Sequence, residues 1–178
     1  LFWRGISFKP TMAKSLDGGT TWSAAQPVFS MADLPKGNRP YAKYASNGRD
    51  RIHFLFTDGH PRNEPNNSVY YVCYRSNAFY KADGTRICGV DELPIRPGQA
   101  DRVYDAAATG ARAWVWEVAS DEKDQPVIVY TRHPTEMDHR YHYARWNGRQ
   151  WIDVELCAAG KWFPQTQPGQ NEREPHYS

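Results

Sequence analysis

Ser15-Leu16-Asp17-Gly18-Gly19-Thr20-Thr21-Trp22 is the stretch on which the fold turns. It fits the pattern Ser/Thr-x-Asp-x-Gly-x-x-Trp, and each fixed position has a physical task. Asp17 can accept hydrogen bonds from nearby backbone N–H groups and fold a turn around its carboxylate. Gly18 and Gly19 can adopt the positive φ of a tight hairpin. Trp22 can pack back over the turn, burying its ring while the indole N–H keeps a partner. Ser15 can add a side-chain-to-backbone bond. An ordinary Asp-Gly hairpin followed by a tryptophan is the plainer alternative. Either way the octapeptide specifies architecture and carries no chemistry.

The surrounding composition agrees with a β-rich chain. Of 178 residues, 14% are aromatic, with 7 Trp and 11 Tyr, and Gly and Pro number 13 each, which suits short strands joined by frequent turns. Aromatic faces also stack on the apolar C–H faces of sugars, although sheet core accounts for most of them. A formal net charge of +2 is too weak to argue for nucleic acid or an anionic membrane as a partner. No apolar run is long enough for a transmembrane helix. Cys73, Cys88 and Cys157 are odd in number and lack metal-ligand spacing, so buried free thiols are expected. The chain opens at Leu1 and closes on Pro175-His176-Tyr177-Ser178, a run like the opening of a strand, so a piece of a longer protein is expected.

The chain repeats itself. Arg39-Pro40-Tyr41-Ala42-Lys43-Tyr44 followed by Ile52 to Pro61 is matched by Arg112-Ala113-Trp114-Val115-Trp116-Glu117 followed by Pro126 to Pro134. Arg39 to Arg112 (112 − 39) and His60 to His133 (133 − 60) share one offset of 73 residues. Each copy continues with an aromatic run, Ser68 to Arg75 or Arg140 to Trp146, and a turn dipeptide, Asp83-Gly84 or Asn147-Gly148. Four antiparallel strands, A to D, are therefore expected per copy. The fold class expected is all-β: a partial β-propeller of about two and a half to three four-stranded antiparallel blades. Residues 1–36 would form a partial blade with the octapeptide at its C–D turn. Residues 37–99 would form a second blade with a long D–A connection, Gly89 to Gly110, which lacks a strand pattern. Residues 100–160 would form a third, and 161–178 a linker and the first strand of a truncated next blade. Asp101 to Thr109 is the one weak helical candidate.

This topology puts B–C loops and A-strand beginnings on one rim, with the octapeptide on the other. His60-Pro61 and His133-Pro134 are both expected in B–C loops. Arg39, Tyr41, Arg112, Trp114, His176 and Tyr177 begin A strands at the same mouth. Each has a plainer role: the arginines as bridges between blades, Tyr41 and Trp114 as packing, the His-Pro pairs as loop braces. His53 reads as a core histidine and His139 as a solvated turn residue. His142 alternates with Tyr141 and Tyr143 on a strand and stays a binding candidate. Arg62, beside His60, can bind substrate or solvate its loop.

The octapeptide, known as an Asp box, belongs with Arg39–Lys43, Ile52–Pro61, Asn67–Tyr71, Ala82-Asp83-Gly84-Thr85, Asp138–Trp146 and His176-Tyr177-Ser178. Together these resemble the BNR-repeat (Asp-box), sialidase-like β-propeller family, in the branch that includes ulvan-lyase-like polysaccharide lyases. The resemblance implies a carbohydrate-active protein, secreted or periplasmic, that cleaves uronic-acid-containing glycans by β-elimination. Such a reaction needs the uronate carboxylate neutralised, a base for the C5 proton and an acid for the leaving oxygen. Tyr177 is implied as a proton-transfer residue. His60 and His133 share the roles of proton-transfer partner and carboxylate neutraliser, their order open. Arg39, Tyr41, Arg62, Arg112, His142 and His176 are the candidate substrate-binding residues that the strand assignment offers. Tyr177 matches the family's pattern while its Gly pair and later Arg are not in this sequence, which leaves the carry-over incomplete; lacking the remaining blades, the piece alone is expected to be inactive. No cofactor or metal is required, and a structural Ca²⁺ is admitted without being indicated. Two rivals stay open. A sialidase-like glycoside hydrolase would use an arginine cluster and a Tyr–Glu pair, and Trp3-Arg4-Gly5-Ile6 is faintly similar to its Arg-Ile-Pro segment. A glycan-binding propeller would need no catalysis at all.

Overall fold

The computed structural model describes residues 1–30 and 39–160. They fold into three antiparallel sheets. The first consists of β1 (Phe2–Arg4), β2 (Pro10–Met12) and β3 (Gln26–Pro27) in that order. The octapeptide links β2 to β3 and is wound around one carboxylate. Asp17 Oδ1 accepts from the Thr21 N–H at 2.8 Å, Asp17 Oδ2 from the Thr21 hydroxyl at 2.6 Å, and Ser15 Oγ from the Gly19 N–H at 2.7 Å. These bonds favour the ionised acid and pull Asp17 down to about 2, the Thr21 hydroxyl being the largest cause. Gly18 and Gly19 take φ of 69° and 95°. The Trp22 indole donates to the Gly19 carbonyl at 3.1 Å, but the ring stays 49% exposed, so it braces the turn without being buried.

The second sheet runs β4 (Ala42–Ser46), β5 (Ile52–Thr57), β6 (Val69–Arg75), β7 (Ala78–Tyr80) and β8 (Arg86–Gly89) in order. It departs from the expected four strands in two ways. The β6–β7 hairpin turns at Ser76-Asn77, whose φ of 48° and 60° fit a two-residue turn. Asp83-Gly84, the stronger dipeptide signal, instead turns β7 into β8. Because β7 covers only Cys73 to Arg75 of β6, the other half, Val69 to Tyr71, needs a partner for its backbone groups. That partner is β9 (Asp101–Tyr104), a strand inside the connection expected to have none. The weak helical candidate thus splits. After β9, Asp105 caps the short α1 (Ala106–Thr109) by accepting from the Ala108 N–H, and Gly110 ends it with φ of 72°.

The third sheet is the plain meander β10 (Arg112–Ser120), β11 (Pro126–Thr135), β12 (Asp138–Trp146) and β13 (Trp151–Ala158). Its last hairpin turns at Asn147-Gly148, where Asn147 Oδ1 accepts two backbone N–H groups and Gly148 takes φ of 93°. No helix among the described residues is long and apolar enough to cross a membrane.

The middle strands of the second sheet, β5 and β6, are buried on both faces, so they read as continuous apolar runs. Period two still sorts them. Phe54, Phe56, Tyr70 and Val72 face the first sheet with Met12, Val28 and Phe29, and Phe29 stacks on Phe56 at 3.9 Å. Leu55, Val69 and Tyr71 face the third sheet with Val115, Ile128 and Tyr130. His53 shares that second face as the expected core histidine, its Nδ1 2.7 Å from the Tyr71 hydroxyl. Cys73 and Cys88 are buried free thiols; Cys157 is exposed on β13, contrary to expectation.

Polar groups join the sheets at both ends. At one end the turn after β4 meets the turn after β10, through Asn47 Nδ2 donating to Asp124 and through Arg51 paired with Asp124 at 3.2 Å. Lys14, just before the octapeptide, donates to Asn77 in the β6–β7 turn at this same end. At the other end Asn67 is fully buried. Its Nδ2 donates to the Ala113 carbonyl at 2.7 Å, its carbonyl accepts from the Ala113 N–H, and its Oδ1 accepts from the Gly59 N–H.

Candidate functional site

The Asn67 end carries a cavity of about 310 Å³ between the first and second sheets. β1 supplies Arg4 as its last residue, and the segment entering β4 supplies Arg39 and Tyr41. The loop after β5 supplies His60, Arg62, Asn63 and Glu64. Three guanidinium groups thus surround a space bounded by one imidazole, one phenol and one carboxylate.

The arginines are held by aromatic faces. The Arg4 guanidinium carbon lies 4.7 Å from the Tyr41 ring centroid, and that of Arg39 lies 4.2 Å from the Phe8 ring. Phe8 reaches that position through a turn with Ser7 and Phe8 at φ of 52° and 61°, a left-handed backbone unusual for such residues. The turn is closed by the Phe8 N–H bonding to the Gly5 carbonyl and the Ile6 N–H to Thr11 Oγ1.

His60 sits on a braced loop. Its carbonyl accepts from the Asn63 and Glu64 N–H groups. Its Nδ1 accepts from the Arg62 N–H at 3.0 Å, so the neutral ring carries its proton on Nε2. The Trp114 ring meets it edge-on at 4.5 Å and Tyr41 at 5.4 Å. Burial, with Arg62 and Arg4 nearby, pushes its pKa down to about 4. At neutral pH His60 is therefore a hydrogen-bond donor without charge.

Arg112 donates from Nη1 to the Pro61 carbonyl at 2.9 Å and lies 3.7 Å from Glu136. It grips the loop that carries His60, which is the bridging role between units.

His133 differs from its expected setting. It lies within β11 and is 3% exposed. Pro134 does not end the strand, because the β11–β12 ladder is irregular between Arg132 and Thr135, where a missing N–H is tolerated. The corresponding loop shrinks to a two-residue turn at Glu136-Met137, whereas Asp58 to Ser68 separate β5 from β6. His133 Nε2 lies 2.9 Å from Thr131 Oγ1, and its ring stacks on His139 at 4.1 Å. Burial, His139 and Arg112 push it down to about 3. His139 is buried too, not a solvated turn residue. His133 pairs with Arg112 in the ladder, so it shares the His60 end of the sheets without lining the cavity.

His142 is also away from the cavity. Its Nδ1 bonds Asp153 Oδ1 at 2.8 Å, in a network where Asp153 also holds the Tyr130 hydroxyl and Arg132. His176 and Tyr177 lie outside the described residues. Among the described residues no group of three or more His, Cys, Asp or Glu is placed to hold a metal. Arg4, Asn63 and Glu64 were missed as site residues. Arg4 ends a three-residue strand with no readable period, and only its faint likeness to an Arg-Ile-Pro segment marked it.

Fold and cavity together define an all-β protein of successive antiparallel meanders, with a cationic, aromatic-walled recess at the sheet ends. The chain belongs to the BNR repeat-containing family, whose pattern it matches over residues 1–158. Among solved structures it is similar to an ulvan lyase, of a new family of polysaccharide lyases, bound to -[GlcA(1-4)Rha3S]-. The TM-score is 0.62 at 16% identity, covering 90% of this chain and 40% of that one. A second ulvan lyase structure gives the same values, TM-score 0.62 and 16% identity over 90% and 40% of the two chains. The chain thus spans less than half the length of the lyases it resembles. No curated protein matches it at a significant level.

Proposed function

We propose that the three sheets are consecutive blades of a partial β-propeller, with the octapeptide as an Asp-box turn. The protein that contains them is a secreted or periplasmic polysaccharide lyase acting on uronic-acid-containing glycans by β-elimination. The observation that carries this is the convergence of Arg4, Arg39 and Arg62 on one recess with an uncharged His60. Guanidinium groups suit a uronate carboxylate, because charge-assisted, paired hydrogen bonds match its geometry. Neutralising that carboxylate makes the adjacent C5 proton easier to remove, since charge developing at C5 spreads onto it. His60 fits the carboxylate side of the reaction as an uncharged donor, because its Nδ1 is occupied and only Nε2–H is offered, while the arginines supply the neutralising charge. A base then takes the C5 proton, a C4=C5 double bond forms, the C4–O bond breaks, and the leaving oxygen receives a proton. Tyr177 is the residue proposed for proton transfer, on the family resemblance; His133, buried in β11 away from the recess, is given no part in that step.

A sialidase-like hydrolase is the second reading, favoured by a specific observation: Tyr41 and Glu64 share the recess with the three arginines. Incubation of the longer protein that contains these sheets with a uronate polysaccharide separates the two. Elimination yields an unsaturated uronate absorbing near the ultraviolet edge, whereas hydrolysis yields a reducing end without a double bond. Reducing ends without ultraviolet absorbance would overturn the lyase proposal.

A further inference from the structure

A second cavity of about 310 Å³ adjoins the first, and Glu64 lines both. One loop, Asp58 to Ser68, forms the shared wall. The second cavity has a different chemistry. Pro65, Ala107 and the Tyr70 ring give it apolar surface. Asp58, Glu64 and Asp105 bring three carboxyl groups against one guanidinium, Arg102, which is already paired with Asp105. Asp58 is set in place by accepting from the Ser68 N–H at 2.7 Å and the Tyr70 hydroxyl at 3.0 Å. The first cavity has the opposite balance, three guanidinium groups against Glu64 alone.

Each volume lies at the lower end of the range for small-molecule sites, the size of one ring rather than a chain. Apolar patches suit the C–H face of a pyranose, and carboxyl oxygens accept from its hydroxyls. The same oxygens repel a sulfate, whose charge has no unpaired cation to meet there.

We infer that the second cavity is a subsite for an uncharged sugar linked to the uronate held by the arginines, and that it discriminates against a sulfated one. This rests on the uronate-binding proposal for the first cavity and adds the neighbouring sugar to it. It separates this chain from the ulvan lyase to which it is similar, whose bound glycan carries Rha3S.

The test is calorimetric titration of the chain with a GlcA(1-4)Rha3S oligosaccharide and with the same oligosaccharide after desulfation, at pH 7.5 and low salt. The desulfated form should bind about tenfold more tightly, and added salt should narrow the gap by screening. Glu64→Gln should narrow it about threefold, and Arg102→Ala, at an exposed site, should widen it. Near-ultraviolet circular dichroism confirms that each variant is folded. Equal or tighter binding of the sulfated form, or a ratio unmoved by both variants, overturns the subsite and leaves the arginine recess standing. Binding of neither glycan overturns both.

Discussion

Trp114→Ala tests how the third sheet shapes the recess. Trp114 comes from β10 and meets His60 at 4.5 Å and Tyr41 at 5.6 Å. Two edge-on aromatic pairs at about 0.5–1.5 kcal/mol each, with part of an indole's burial, give a loss of roughly 2–3 kcal/mol. The sharper readout is the imidazole. Its fall to about 4 comes first from burial, then from Arg62 and Arg4. Removing the indole admits water but leaves both arginines, so the pKa should rise without reaching the free value of ~6.5. The wild-type depression corresponds to roughly 3 kcal/mol between the two protonation states. The sign follows. The unfolded chain binds the proton first, so stability is full above pH ~6.5 and is lost as pH falls towards 4. Trp114→Ala should flatten that acid limb while lowering stability at pH 7. The assay is NMR titration of the His60 ring in both proteins, with thermal melts from pH 4 to pH 8. A wild-type His60 titrating near 6.5, or a variant with an unchanged pKa, would refute the claim that Trp114 desolvates it.

Gly5→Ala should lower the melting temperature and disturb Arg4, because a Cβ there would collide with the Trp3 indole at Nε1 and lie 2.9 Å from Thr11 Oγ1. The cost is about 1–3 kcal/mol, read in a thermal melt. Asn67→Ala removes a fully buried amide that bonds Gly59 and Ala113, and leaves both partners unsatisfied. It should cost about 2–4 kcal/mol and raise hydrogen exchange at Gly59 and Ala113. Asp17→Asn should weaken the octapeptide turn at neutral pH. In the wild type, protection of the Thr21 amide should persist on acidification until pH falls towards 2, because the carboxylate is held in its ionised form. Loss of Thr21 protection already at pH 4 would contradict this.

The repeat was legible because two anchors share one offset and because β5 and β6 are apolar on both faces. The octapeptide turn was legible because its hydrogen bonds are local. What misled was information held at a distance. Asp83-Gly84 is the stronger turn dipeptide, yet Ser76-Asn77 makes the β6–β7 hairpin. β9 exists because β7 is short, which no local pattern announces. Equal spacing of His60 and His133 suggested equal settings. An irregular ladder lets β11 run through Pro134, so one imidazole borders a recess and the other is stacked on His139 inside a sheet. Within the site, Arg39, Tyr41, His60 and Arg62 were legible as a group because they flank the same loop and strand. Arg4 was not, because it arrives from another sheet.

The central claim is that the recess beside His60 holds a uronate carboxylate. NMR titration of the chain with a uronate oligosaccharide and with its carboxyl-reduced counterpart measures this directly. The carboxylated form should shift the His60 ring and the guanidinium signals of Arg4, Arg39 and Arg62, with affinity at least about tenfold above the reduced form. Equal binding of the two, or shifts confined to residues away from the recess, would contradict it.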